Sequence, residues 1–306
     1  MKKASQKFVA IGIAIVFVGA AIAPLALRNS GEGKSTSSNK LNPEQSITHG
    51  HGLAVDVQDP IKLYIATHHG LLVLINDKDL YRVGENQDDL MGFSPDPVDP
   101  KVLFSSGHRS LGGNIGFQRS DDGGYTWNKV ADGVDGPVDF HAMAISRVNP
   151  NLVYGWYQGS LQRSTDRGAT WEIVNSNLQT FYLAADSQDE NVAYAATADG
   201  QGIAVSRDKG ANWTPLSPQL QGGFVSAVAV HPKDSKILLT FSEKLGGLGK
   251  SIDSGKTWKR VSEGFNSEIV LYIAFSTIDP SIVYALTEGN ALYKSTDAGE
   301  TWVKIR

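Results

Sequence analysis

From residue 120 onward, one eight-residue pattern, Ser-x-Asp-x-Gly-x-Thr/Asn-Trp, returns five times: Ser120–Trp127, Ser164–Trp171, Ser206–Trp213, Ser251–Trp258 and Ser295–Trp302. Its tryptophans lie 44, 42, 45 and 44 residues apart. A period in this range, with strand-like runs between turns, predicts a β-propeller, in which each repeat is one blade too small to bury its apolar face alone. The residue types within the pattern have physical tasks. The aspartates (Asp122, Asp166, Asp208, Asp253, Asp297) can accept N–H bonds inside their own turn. The glycine two places on suits a positive φ. The tryptophans (Trp127, Trp171, Trp213, Trp258, Trp302) can pack between neighbouring sheets, each contributing about 2–3 kcal/mol of burial. These aspartates are therefore expected to be structural.

On these residues the pattern resembles the Asp-box, or BNR, repeat of the sialidase superfamily, of sortilin-type receptors and of photosystem II assembly factors. The resemblance covers residues 47–306 and implies a propeller fold. It implies activity only weakly, because the repeat sits on enzymes and non-enzymes alike.

Each repeat is preceded by a strand with a small residue at its centre. These begin at His51, Asp89, His141, Phe181, Ser226 and Leu271, which gives six blades. The first blade keeps only a remnant of the box, Asn76 to Tyr81. The expected architecture is an all-β, six-bladed propeller of four-stranded antiparallel blades joined by Asp-box hairpins. Because the last outer strand is followed by Arg306, ring closure is expected to rest on packing between blades rather than on an exchanged strand.

Upstream stands a different kind of segment. Lys2, Lys3 and Lys7 precede an apolar run from Phe8 to Leu27, long enough to cross a bilayer as a helix. The lysines predict that the remainder of the chain lies outside the cytoplasm. Residues 1–27 are read as a membrane anchor or a signal peptide. Ala21-Ile22-Ala23 offers a small-x-small cleavage site, and Pro24 after it argues for an uncleaved anchor. Residues 28–46 read as a flexible polar linker. The protein is expected to be extracytoplasmic, anchored to the cell membrane or secreted. The chain has no cysteine, which excludes disulfides, thiolate metal sites and a lipidated cysteine. A net charge of -4 gives no pull toward nucleic acid.

Alternate loops of a blade lie on opposite ends of the ring. Six of the seven histidines fall on the end away from the Asp-boxes, here called the open face. They are His49, His51, His68, His69, His108 and His141, all from the first three blades. Residues two apart on a strand point the same way. On that basis blade one presents His49 and His51, blade two Gln87 and Asp89, and blade three Asp139 and His141. Blades four to six present Gln179/Phe181, Phe224/Ser226 and Ile269/Leu271, so the mouth is lopsided. Imidazoles and carboxylates without Cys suit a divalent transition metal such as Zn or Cu, with the six histidines and Asp139 as candidate ligands. The same groups could hold a substrate and move protons near neutral pH. The bland alternative is a hydrated mouth whose histidines bond to backbone and water.

The sialidase resemblance implies three arginines around a substrate carboxylate, yet Arg109 is the only clear arginine on the open face. Arg119 and Arg163 lie beside Asp-boxes, so sialidase activity is not expected. Another glycosidase would need two carboxyl groups roughly 5–10 Å apart. Asp89, Asp135, Asp139, Glu243 and Glu288 are candidates. Arg109, Trp156 and Tyr157 are candidate contacts for a carbohydrate or protein ligand. The reading that emerges is a binding or scaffold module with a His/Asp site, with a glycoside hydrolase-like enzyme as the alternative.

Overall fold

The structure, a computed structural model, describes residues 40–262, 265 and 267–306. The segment read as anchor or signal peptide, and the linker as far as residue 39, lie outside the described residues. Among those described, no helix is long and apolar enough to cross a membrane.

Six antiparallel sheets are present, each built from one continuous stretch of chain in simple meander order. Their first strands are Gly50–Val55, Asp89–Pro95, Ala142–Ile145, Thr180–Ala185, Val225–Val230 and Val270–Phe275. Each first strand packs against the next, and the last packs against the first, so the sheets form a closed ring of six blades. Five blades have four strands. Blade one has five, because Leu41–Pro43 pairs antiparallel with its outer strand Asp79–Val83. The stretch read as linker to residue 46 thus gives way to structure at Leu41. That outer edge would otherwise present unpaired N–H and C=O groups, and the short triplet Leu41-Asn42-Pro43 beside it covers them.

The core is distributed. Six clusters of buried apolar side chains lie one between each pair of neighbouring blades. Each box tryptophan enters the cluster shared with the preceding blade; Trp258, for instance, joins Tyr194 and Val228. Within every box the serine hydroxyl donates to the aspartate and accepts from the glycine N–H. In the third blade these are Ser164 Oγ to Asp166 (2.8 Å) and Gly168 N–H to Ser164 Oγ (2.8 Å). The aspartate also accepts from the backbone and hydroxyl of Thr170. Trp171, Trp213, Trp258 and Trp302 donate Nε1–H to the carbonyl of their own box glycine. Trp127 Nε1 is buried without a partner.

Ring closure is made by side chains. Asp77, from the remnant box of blade one, accepts from Tyr284 Oη (2.7 Å) and Lys294 Nζ (2.5 Å) of blade six. Gly50 N–H donates to Asn290, and the Arg306 guanidinium donates to the carbonyls of Gln45 and Lys78. Together with an apolar cluster shared by Leu53, Leu63, Tyr284 and Leu292, these contacts replace strand exchange.

Candidate functional site

Strand pairing fixes which residues meet at the open face. In blade one Val55 pairs with Leu63; in blade two the equivalent pair is Pro95 with Leu103. Counting back along both strands, Asp89 stands at the position of His49, and Met91 at that of His51. The sequence-based register for blade two, Gln87 and Asp89, is therefore two residues out. The other five blades keep their register. The outermost ring is His49, Asp89, Asp139, Gln179, Phe224 and Ile269; the next is His51, Met91, His141, Phe181, Ser226 and Leu271. In five blades the pairing of the first strand shifts close to this inner-ring position, as between Gly50 and Gly52. Such bulges re-aim side chains at a barrel or propeller mouth.

Three imidazoles converge. Ring centroids of His49 and His51 are 5.1 Å apart, His49 and His68 4.5 Å, and His51 and His68 4.2 Å. One ring nitrogen from each lies within 4.8 Å of the others. His68 belongs to the turn between the second and third strands, and it reaches across to blade two, where Nδ1 meets Asp89 Oδ2. His108, the strand partner of Asp89, places Nε2 3.2 Å from the same oxygen. In blade three His141 Nε2 lies 3.2 Å from Asp139 Oδ2. His69 is exposed, 6.4 Å from His68, and stays outside the group.

Electrostatics join these residues into one neighbourhood. Burial and the imidazoles of His68, His49, His141 and His108 push the His51 pKa down to about 3, which leaves a neutral ring with a free lone pair. Burial raises Asp89, against the pull of His68 and His108, and Asp139 adds repulsion. The hydrogen bond to Asp139 raises His141. His51 Nε2, Asp89 Oδ1 and Asp139 Oδ1 are buried without a hydrogen-bond partner. Buried polar atoms left unpaired in this way call for a ligand, a water or an ion.

Below the imidazoles lies a pocket of about 40 Å³, lined on the far side by Phe181, Tyr182 and Tyr272. The two tyrosines were not marked by sequence reasoning. They sit one residue beyond the inner-ring positions, where a strict alternation of two turns them away from the mouth.

The remaining candidates have other employment. Glu243 and Glu288 accept the N–H of Phe224 and Ile269, the residues just before the inner strands of blades five and six. Trp156 donates Nε1–H to Leu178 O (2.7 Å) and packs between blades three and four. Tyr157 Oη accepts from Asn114 and Gln158. Arg109 and Asp135 are exposed. The seventh histidine, His231, stands on the Asp-box side, where Nδ1 accepts from Lys233 and Asp234 N–H as an aspartate does in blades one, two and four.

Comparison with known proteins follows the same lines. Residues 118–129 match the BNR/Asp-box repeat profile, and residues 246–306 match that of Sortilin-Vps10 (Sortilin, neurotensin receptor 3). Xyloglucanases of Paenibacillus sp and of Hypocrea jecorina (strain QM6a) are 24% and 27% identical over 242 and 240 residues, 67% and 61% of this chain. The matched stretches amount to only 21% and 28% of those two proteins. Among solved structures, the GH74 enzyme of Niastella koreensis aligns with a TM-score of 0.62 at 16% identity, covering 86% of this chain and 46% of that one. YCF48 from Cyanidioschyzon merolae aligns with a TM-score of 0.54 at 17% identity, covering 87% of each. At such identities the structural likeness is one of fold. Sheet topology and repeat motif together make this chain a six-bladed propeller that carries BNR/Asp-box repeats.

Proposed function

We propose that this propeller is an extracytoplasmic binding module, anchored at the membrane or secreted, whose open face holds a divalent transition metal, Zn or Cu, and takes a carbohydrate or protein ligand there. The observation that carries this is the convergence of His49, His51 and His68. Metal–imidazole bonds of about 2.0–2.1 Å in a tetrahedral site set ligand nitrogens about 3.3 Å apart, so the three nitrogens, now within 4.8 Å, would draw together around one ion. His68 already bonds Asp89 through Nδ1, which leaves Nε2 for a metal; a carboxylate behind a ligating imidazole is the usual outer support of such sites. The Lys-flanked apolar segment 8–27 supports the location. A protein ligand has precedent in a related fold, since YCF48 has been solved bound to D1 peptide, with a TM-score of 0.53 to this chain. Elemental analysis of the purified chain tests the metal. About one equivalent of Zn or Cu is expected, falling in His51→Ala and His68→Ala and unchanged in His69→Ala. Metal-free wild-type protein that also fails to take up either ion on titration would refute it.

A second reading is a glycoside hydrolase-like enzyme using Asp89 and Asp139. It is favoured by the similarity to two xyloglucanases and by the raised pKa of Asp89, which suits a proton donor. Xyloglucan and a panel of aryl glycosides would be the substrates to assay. Turnover abolished by Asp89→Asn would establish the enzyme, and none with any substrate would remove it.

A further inference from the structure

The opposite end of the axial channel carries a feature that the open-face reading leaves unused. The six inner strands end there on Val55, Pro95, Ile145, Ala185, Val230 and Phe275, one from each blade, around a cavity of about 140 Å³. The side chains lining it are apolar apart from Ser94, Tyr182 and one charged side chain, Arg147, and polar groups, those of the backbone included, share its surface. Arg147 stands two residues beyond Ile145, where the other blades carry Val57, Pro97, Ser187, Pro232 and Thr277.

Arg147 also stands in a blade whose turn supplies no carboxylate. In blades one, two and four the preceding turn is keyed by Asp56, Asp96 and Asp186, each accepting two backbone N–H groups. Asp96 is further engaged by Arg167, and Asp56 by Lys62. In blade three a serine, Ser146, takes that place, so no carboxylate stands beside Arg147. Among the described residues Arg147 has no hydrogen bond or ion pair. Its side chain is exposed to solvent at the mouth of the cavity, and the crowding strand ends pull its pKa down to about 10, which still leaves a full positive charge at neutral pH.

We infer that this end of the channel is a binding site for a small apolar monocarboxylate, with Arg147 pairing the carboxylate and the six strand ends enclosing the apolar body. A single guanidinium matches a single carboxylate, and its fork donates an N–H to each oxygen. By volume, a cavity of about 140 Å³ has room for a body the size of a benzene ring. Leu53, Phe93, Met143, Tyr182 and Leu183 line both this cavity and the pocket beneath the imidazoles, and they form the waist between the two ends. The site stands or falls separately from the metal.

The test is calorimetric titration of the full chain with phenylacetate, with phenylacetamide as the neutral compound of the same shape. Saturable binding of phenylacetate is expected, with the amide weaker by roughly ten- to hundredfold, the range for a hydrogen bond to a charged group. Arg147→Gln should bring the acid down to the level of the amide, while Arg147→Lys should retain most of the affinity. Ala185→Phe, which narrows the cavity and keeps the arginine, should weaken both compounds; circular dichroism checks that each variant is folded. The inference is overturned by no saturation in the wild-type chain, by equal binding of acid and amide, or by unchanged affinity in Arg147→Gln.

Discussion

Replacing Gly168 with alanine should destabilise the propeller far more than the same change at Gly123, although both glycines have positive φ (+88° and +80°). At Gly123 a Cβ meets no atom within 4 Å. The equivalent box position in blade six is already an alanine, Ala298, at φ 57°. Gly123→Ala therefore bears only left-handed strain, about 1–2 kcal/mol, partly offset by about 0.4–1 kcal/mol of lost freedom in the unfolded chain. At Gly168 a Cβ would stand 1.9 Å from Phe117 Cε1 and 2.4 Å from Cδ1. Phe117 cannot retreat. It is fully buried, with its ring 5.5 Å from Phe104 and 5.1 Å from Trp171. Overpacking of this kind adds about 1–3 kcal/mol. Urea unfolding followed by tryptophan fluorescence should place Gly168→Ala about 1–3 kcal/mol below Gly123→Ala, or a few degrees lower in Tm. If the two variants unfold within about 0.5 kcal/mol of each other, the packing of the box glycine against the preceding blade is not what selects glycine there.

Three further outcomes follow from the same contacts. Asp77→Ala removes the partner of the Tyr284 hydroxyl across the ring closure and should cost about 1–3 kcal/mol, whereas Asp121→Ala, which breaks only the surface pair with Arg119, should cost under about 1 kcal/mol; thermal melts of the two variants decide. Trp302→Phe gives up a hydrogen bond to Gly299 O, while Trp127→Phe gives up a buried N–H that has no partner, so chemical denaturation should show Trp302→Phe to be the more damaging. Hydrogen bonds from the Thr257 hydroxyl and backbone hold Asp253 at about 2, and those from Thr301 and Ser295 overcome burial to hold Asp297 at about 2. A depressed carboxylate stabilises the fold at every pH above its unfolded pKa of about 3.9, and that stabilisation disappears as pH falls toward 2. The Tm should accordingly fall in two stages: first below about pH 6.5, where the unfolded chain protonates His51 and the fold keeps it neutral, and again between about pH 4 and 2, with a shallower second drop in Asp297→Asn.

The mouth of the ring shows how far local pattern reaches. His51 and His141 could be assigned to equivalent positions because each lies eight residues before its Asp-Pro or Asn-Pro turn, at Asp59-Pro60 and Asn149-Pro150. Asp89 lies ten before Asp99-Pro100, and that excess of two is the register error in blade two. Alignment on the turns rather than on the small central residue would have removed it. His69 looked equivalent to its neighbour His68, but adjacent residues diverge, and only His68 reaches Asp89.

The sequence by itself determined the six blades, the Asp-box hairpins and the side of the ring that carries the histidines. Those follow from a period and from the residue types a turn will accept, which are properties of neighbours in the chain. Tertiary structure decided the rest. It brought His68 onto Asp89 and against His49 and His51, seated Asp77 between Tyr284 and Lys294, and left Arg147 without a carboxylate at the far end of the channel. Each of these depends on the angle at which one blade meets another. That angle is set by six interblade cores acting together, so no single repeat contains it.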